Sequence, residues 1–170
     1  MQPLKILFVC LGNICRSPIA HGIMEAKIKS RGLSHFFKID SAGTTGFHIN
    51  SAPDWRSITT LQKHGIILKH QARQFNQNDI SSYDYILTMD HLNYDEVINL
   101  AQHKRDDIQR VFLLRSFDPL EKTEFDIPDP YYGLDSDFDE VYRICDRSIN
   151  GFIKFLSAQN IIAPNHLNQF

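Results

Sequence analysis

Ile6-Leu7-Phe8-Val9-Cys10-Leu11-Gly12-Asn13-Ile14-Cys15-Arg16-Ser17-Pro18 packs a strand, a loop and a helix start into one short stretch. Ile6 to Val9 is a continuous apolar run, as in a strand covered on both faces, and Gly12-Asn13 breaks it. Ser17 has the chemistry of an N-cap and Pro18 suits the first helical position. Ile19, Ile23 and Ala26 then recur at helical spacing until Gly32 offers a stop. The same alternation continues outward. Strands are expected at Phe37 to Ser41, Tyr85 to Thr88 and Val111 to Leu114. Helices are expected from Pro53-Asp54 to His64 and from Leu92 to Gln102. Phe138, Val141, Tyr142, Cys145, Ile149, Phe152, Ile153 and Leu156 mark one face of a long last helix, which puts Cys145 in the core. Strand-helix alternation predicts an α/β fold: a single domain with a small, about four-stranded parallel sheet and helices on both faces. The domain is expected to span residues 1–158, with 159–170 as a C-terminal tail. Ligands of such sheets sit at the carboxyl ends of the strands, which directs attention to the loop after the first one.

That loop has the makings of an anion cradle. Gly12 and Asn13 are residue types that tolerate left-handed backbone angles. A loop so bent can turn successive N–H groups inward, and the positive end of the following helix points at the same spot. Arg16 adds a planar fork that matches two phosphate oxygens. Cys10, at the lip of this site, is then held in its nucleophilic thiolate form, with the Ser17 hydroxyl as a donor to it. A lone cysteine at a strand end reads as a small buried hydrophobe. The spacing Cys-x5-Arg-Ser between strand and helix turns that reading into a catalytic one.

Composition excludes several other classes. The 170 residues are 42% hydrophobic and 22% charged, as in ordinary globular domains. The apolar run near the start ends at Leu11, too short for a secretory leader or a membrane span. Three cysteines make no disulfide framework and suggest a reducing, cytoplasmic setting, which argues against classical secretion only. The net charge of −2 hides an asymmetry: residues 1–75 carry ten Lys/Arg against three Asp/Glu, and residues 76–170 carry eight against seventeen. The basic half can attract an anion while the acidic half supplies a carboxylate, or both are solvated faces. The basic residues are scattered and no nucleic-acid module is present, so no nucleic-acid partner is expected. Cys-x4-Cys has no second pair and no His-x3-His occurs, so no metal is expected. Neither Gly-x4-Gly-Lys-Ser/Thr nor Gly-x-Gly-x2-Gly is present, which disfavours a nucleotide cofactor.

Val9 to Pro18 resembles the signature loop of the low-molecular-weight protein tyrosine phosphatases. The resemblance continues through Asp40-Ser41-Ala42-Gly43-Thr44, His64-Gly65-Ile66, His70-Gln71-Ala72-Arg73, Thr88-Met89-Asp90 and Asp129-Pro130-Tyr131-Tyr132-Gly133, and reaches about Ala158. It implies hydrolysis of phosphotyrosine in proteins through a phosphocysteine, with Cys10 as nucleophile, Arg16 as charge clamp and no cofactor. Leu11, Gly12, Asn13, Ile14, Cys15 and Ser17 complete the phosphate-binding loop. Expelling a phenolate, whose acid has a pKa of about 10, calls for a general acid. Nine carboxylates lie between Asp118 and Glu140, and the resemblance singles out Asp129. It also implies a network of Asn13, Ser17, Ser41 and His70 that holds the loop in shape. Phe47, where the family has tyrosine or tryptophan, and Tyr131 become walls of the substrate pocket. Cys15 becomes a redox partner of Cys10, against the alternative of a packed cysteine at the helix start. Trp55 is expected partly buried at the start of its helix, and the protein is expected to be a monomer. An arsenate reductase of this fold would need two further cysteines for a disulfide relay, and only Cys145 remains. A non-catalytic phosphate-binding module would not need nucleophile, arginine and acid together.

Overall fold

Alternating burial along the first strand decides where everything else packs. The computed structural model describes residues 2–101 and 108–161. In β1 (Leu4–Cys10) Ile6 and Phe8 enter one core and Leu7 and Val9 the other, all fully buried. A strand with two buried faces needs helices on both sides. β1 pairs in parallel with β2 (Phe37–Gly43) and with β3 (Tyr85–Thr88), and β3 pairs in parallel with β4 (Val111–Leu113). The sheet order is β2-β1-β3-β4. The chain therefore leaves β1 for one neighbour and later returns to the other side. That reversal opens a crevice at the carboxyl end of β1.

The first core joins β1 to α1 (Arg16–Ser30), α2 (Trp55–Lys63) and the long α5 (Asp135–Ala158). The expected apolar face of α5 is buried there, Cys145 included. The second core covers Leu7, Val9 and Ile86 with Ile80 of α3 (Gln77–Ser82) and Val97 of α4 (His91–Leu100). Asp54 caps α2 by accepting from the Arg56 N–H, and α1 gives way to Gly32, whose φ is 68°.

Several expectations change. α1 begins at Arg16, and Ser17 is not its N-cap: Cys15 stands there without a side-chain cap bond. The Ser17 hydroxyl is needed at Cys10 instead. α3 was not expected, because Ile80 is its one apolar residue, but Asn76 and Asp79 form a capping box around its start. Leu114 belongs to a 3-10 turn, Leu114–Phe117, rather than to β4. Trp55 is 66% exposed, since α2 turns Leu61 and Thr60 inward and leaves its first residue in solvent. The expected end of the fourth helix at Gln102, and residues 162–170 of the expected tail, lie outside the described residues.

Candidate active site

Asn13 shapes the loop between β1 and α1. It is one of the few non-glycine residues at positive φ among the described residues (56°), whereas Gly12 does not take that conformation. The loop carbonyls are engaged outward. Thr44 N–H donates to Cys10 O (2.9 Å), Thr45 N–H to Leu11 O (3.0 Å), Asp54 N–H to Ile14 O (2.8 Å) and Ser57 Oγ to Cys15 O (3.3 Å). With the carbonyls turned away, the Asn13 N–H turns inward to Cys10 Sγ at 3.2 Å, and Ser17 Oγ lies 3.0 Å from the same sulfur. Cys10, the last residue of β1, is buried at the base of this loop.

Arg16, 2% exposed, is gripped from three places. Its Nη1 donates to Asp90 Oδ2 (2.5 Å), just past β3, and to Ile127 O (3.1 Å), and its Nη2 donates to Asp129 Oδ2 (2.9 Å). Burial alone would lower its pKa, but the charges of Cys10, Asp129 and Asp90 outweigh burial and raise it. The two carboxylates are not equivalent: the Asp90 side chain is 16% exposed and that of Asp129 is 41%. Asp90 also caps α4 through the Asn93 N–H, so it is held in place. Asp129 is the more exposed of the two, and its other oxygen accepts from the Tyr131 N–H (3.2 Å).

Ser41 and His70 hydrogen-bond to the loop through Asn13. Asn13 Nδ2 donates to Ser17 Oγ (2.9 Å) and to Ser41 Oγ (3.0 Å), while Asn13 Oδ1 accepts from the Arg73 N–H (3.0 Å) and pairs with His70 Nε2 (2.9 Å). Burial, reinforced by the nearby His21 charge, pulls the pKa of His70 from 6.5 to about 4. Cys15, by contrast, is pushed up to about 12 by burial and by Asp54 and Cys10, so it is a thiol at neutral pH. The loop that carries Asp129 is pinned by Arg56, whose Nη2 donates to Tyr131 O (3.0 Å) and Nη1 to Gly133 O (3.3 Å). Tyr131 lies across from His48, ring centroids 6.4 Å apart. Phe47 is 83% exposed.

The family model described as low molecular weight phosphotyrosine protein phosphatase matches residues 5–161. The chain belongs to this family. The human low molecular weight phosphotyrosine protein phosphatase is 40% identical over 150 residues, 88% of this chain and 94% of its own. A low molecular weight protein-tyrosine-phosphatase of Streptomyces coelicolor is 38% identical over 156 residues, 91% of this chain and 94% of its own. The solved structure of a protein tyrosine phosphatase from Entamoeba histolytica has a TM-score of 0.86 at 33% identity, covering 92% of this chain and 99% of that one. The fold is that of the low molecular weight phosphatases, a family of cysteine-dependent enzymes.

Three residues that hold this site together, Asp90, Arg56 and Arg73, were not among the expected site residues. Asp90 was noted only as part of a motif, although its place just beyond a buried strand is where a ligand-facing residue belongs. Arg73 likewise appeared only within a motif, and Arg56 gave no signal of its hold on the Tyr131 and Gly133 carbonyls, which are distant in sequence.

The lowered pKa of His70 makes a stability prediction. The folded protein holds this imidazole neutral, while the unfolded chain protonates it near its ordinary value of about 6.5. Its contribution is therefore complete above that pH and is lost as pH falls toward about 4. Thermal melts of the wild type should drop over this window, and the drop should be shallower in His70→Gln. Equal slopes would remove His70 as the cause.

Proposed function

We propose that this chain hydrolyses phosphotyrosine in proteins, and small aryl phosphates, through a phosphocysteine on Cys10. The observation that carries the reading is the buried, triply held Arg16 beside a Cys10 sulfur that receives the Asn13 N–H. A fixed cation and inward donors in a water-poor loop stabilise charge on the equatorial phosphoryl oxygens. Cys10 Sγ attacks phosphorus in line, the phosphorus–oxygen bond to tyrosine breaks, and Asp129 gives its proton to the departing oxygen. Water then attacks the phosphocysteine as the Asp129 carboxylate takes its proton. The sulfur–phosphorus bond breaks, and phosphate and the Cys10 thiolate are released. Before this, Asp129 has to leave Arg16, which its exposed seat allows. Tyr131 and, more loosely, Phe47 would flank the substrate ring.

Residues 1–158 are read as one phosphatase domain, acting as a cytoplasmic monomer on protein phosphotyrosine and on no nucleic acid. Three unpaired cysteines and the scattered basic residues support that reading, and no described helix is long and apolar enough to cross a membrane. Sedimentation of the purified chain as a dimer would overturn the monomer.

The deciding experiment is hydrolysis of para-nitrophenyl phosphate with chelator present, wild type beside Cys10→Ser. Turnover should vanish in the variant while vanadate still binds, and full residual activity would sink the nucleophile. Asp129→Ala should slow phosphotyrosine hydrolysis about 100-fold or more, within the range of general acid catalysis, and an ester with a better leaving group far less. Equal losses on both would strip Asp129 of the role. Cys15 is assigned as the resolving thiol: peroxide converts the Cys10 thiolate to a sulfenic acid, and the Cys15 thiol displaces water to give a disulfide. Mass spectrometry after mild peroxide should find Cys10–Cys15, reversible by thiols; sulfonic acid alone at Cys10 would contradict it.

A further inference from the structure

Beyond the Asn13–Ser17–Ser41–His70 network lies a pair on α1, His21 and Glu25. His21 is 5% exposed; its Nδ1 lies 3.3 Å from Ser41 Oγ and its Nε2 3.3 Å from Glu25 Oε1. His21, His70 and Asp40 offer ligand atoms within 4.8 Å of one another, as a metal site would. Asp40, however, already accepts from the Ser41 N–H, Tyr83 OH and Arg73 Nε, and the guanidinium supplies the cation. The two imidazoles turn toward Ser41 instead.

Counting donors orders the protons of this cluster. The Arg73 backbone N–H can only donate, so the Asn13 atom it meets is Oδ1 and the amide orientation is settled. His70 Nε2, also on Oδ1, must therefore carry a proton. Ser41 Oγ accepts from Asn13 Nδ2, and His70 Nε2, 3.3 Å away, cannot take its proton. The Ser41 hydroxyl has His21 Nδ1 as its acceptor, which must be bare, so the His21 proton sits on Nε2 and faces Glu25. On the other side Ser17 Oγ accepts from Asn13, and Cys10 Sγ at 3.0 Å is a nearer acceptor for its proton than Ala42 O at 3.5 Å. Two arms thus diverge from the Asn13 amide, one ending on the cysteine sulfur and the other on the Glu25 carboxylate.

We propose that His21, oriented by Glu25, is a positioning residue for the Cys10 loop, and that it works only while Nδ1 is unprotonated. Protonation puts a donor on Nδ1. Ser41 Oγ then faces the donors of Asn13, His70 and His21 with no acceptor for its own proton. The Asn13 arm toward Ser17 and Cys10 loses its anchor. The groups that bias His21 are Glu25 on its own helix, Asp40 on β2, and His70 and Arg73 on the segment after α2. The effect on turnover rests on Cys10 being the nucleophile; the proton assignment does not.

Long-range proton–nitrogen spectra of the labelled full chain, with His21→Asn identifying the signal, test the assignment directly. At neutral pH His21 and His70 should both be Nε2-protonated with Nδ1 bare. A proton on His21 Nδ1 at neutral pH overturns the proposal. In kinetics, His21→Leu should lower kcat about tenfold, the worth of one hydrogen bond, with KM little changed. His21→Asn, whose Oδ1 overlays Nδ1, should recover most of the loss. Its kcat should also fall less than that of the wild type on acidification. Equal kcat in the Leu and Asn variants, or matching wild-type and Asn pH profiles, would overturn it. An inactive wild type would refute the phosphatase reading and leave the spectra to decide the rest.

Discussion

A buried guanidinium must be neutralised, and the molecule is organised around doing so for Arg16. Removing a buried partner from such an ion leaves a cost of several kcal/mol, about 3–5 by analogy with other buried pairs. The acceptors come from the end of β3, from Ile127 and from the acidic loop before α5. Elements far apart in sequence are thereby tied to the first turn of α1. The topology makes this possible, because β1 lies between β2 and β3 and its carboxyl end faces segments arriving from both sides. Cys10 inherits its surroundings from that arrangement.

The loop itself is held by a single amide. Asn13 accepts a left-handed backbone, then spends both Nδ2 protons and its Oδ1 on Ser17, Ser41, His70 and the Arg73 backbone. An aspartate could not donate there, and a glycine could adopt the turn but bond nothing. The strained conformation persists because its neighbours over-determine it.

Much of this was legible in the sequence. The four strands, the long last helix and the position of the loop follow from apolar runs and punctuation by Gly32 and Gly65, both at positive φ. Cys10 and Arg16 follow from their spacing across a strand-to-helix junction. Asp129 was indistinguishable from its acidic neighbours until a family pattern was brought in, since local sequence does not say which carboxylate folds back onto the loop. Ser17 looked like a cap because its residue type suits both roles. Trp55 looked inward because hydrophobicity says nothing about which face of a short helix turns to solvent. Asp90, Arg56 and His21 were silent for a common reason: each matters through a partner fixed by tertiary packing.

Asp129 resting on Arg16 makes the site its own first occupant. An incoming anion does not enter an open cradle; it must evict a carboxylate already bonded to the arginine. Singly charged, weakly bonding anions gain little from that exchange, whereas a phosphate dianion that also meets the loop's N–H groups gains more. Under the proposed mechanism that exchange would set a threshold for admission and free Asp129 for proton transfer.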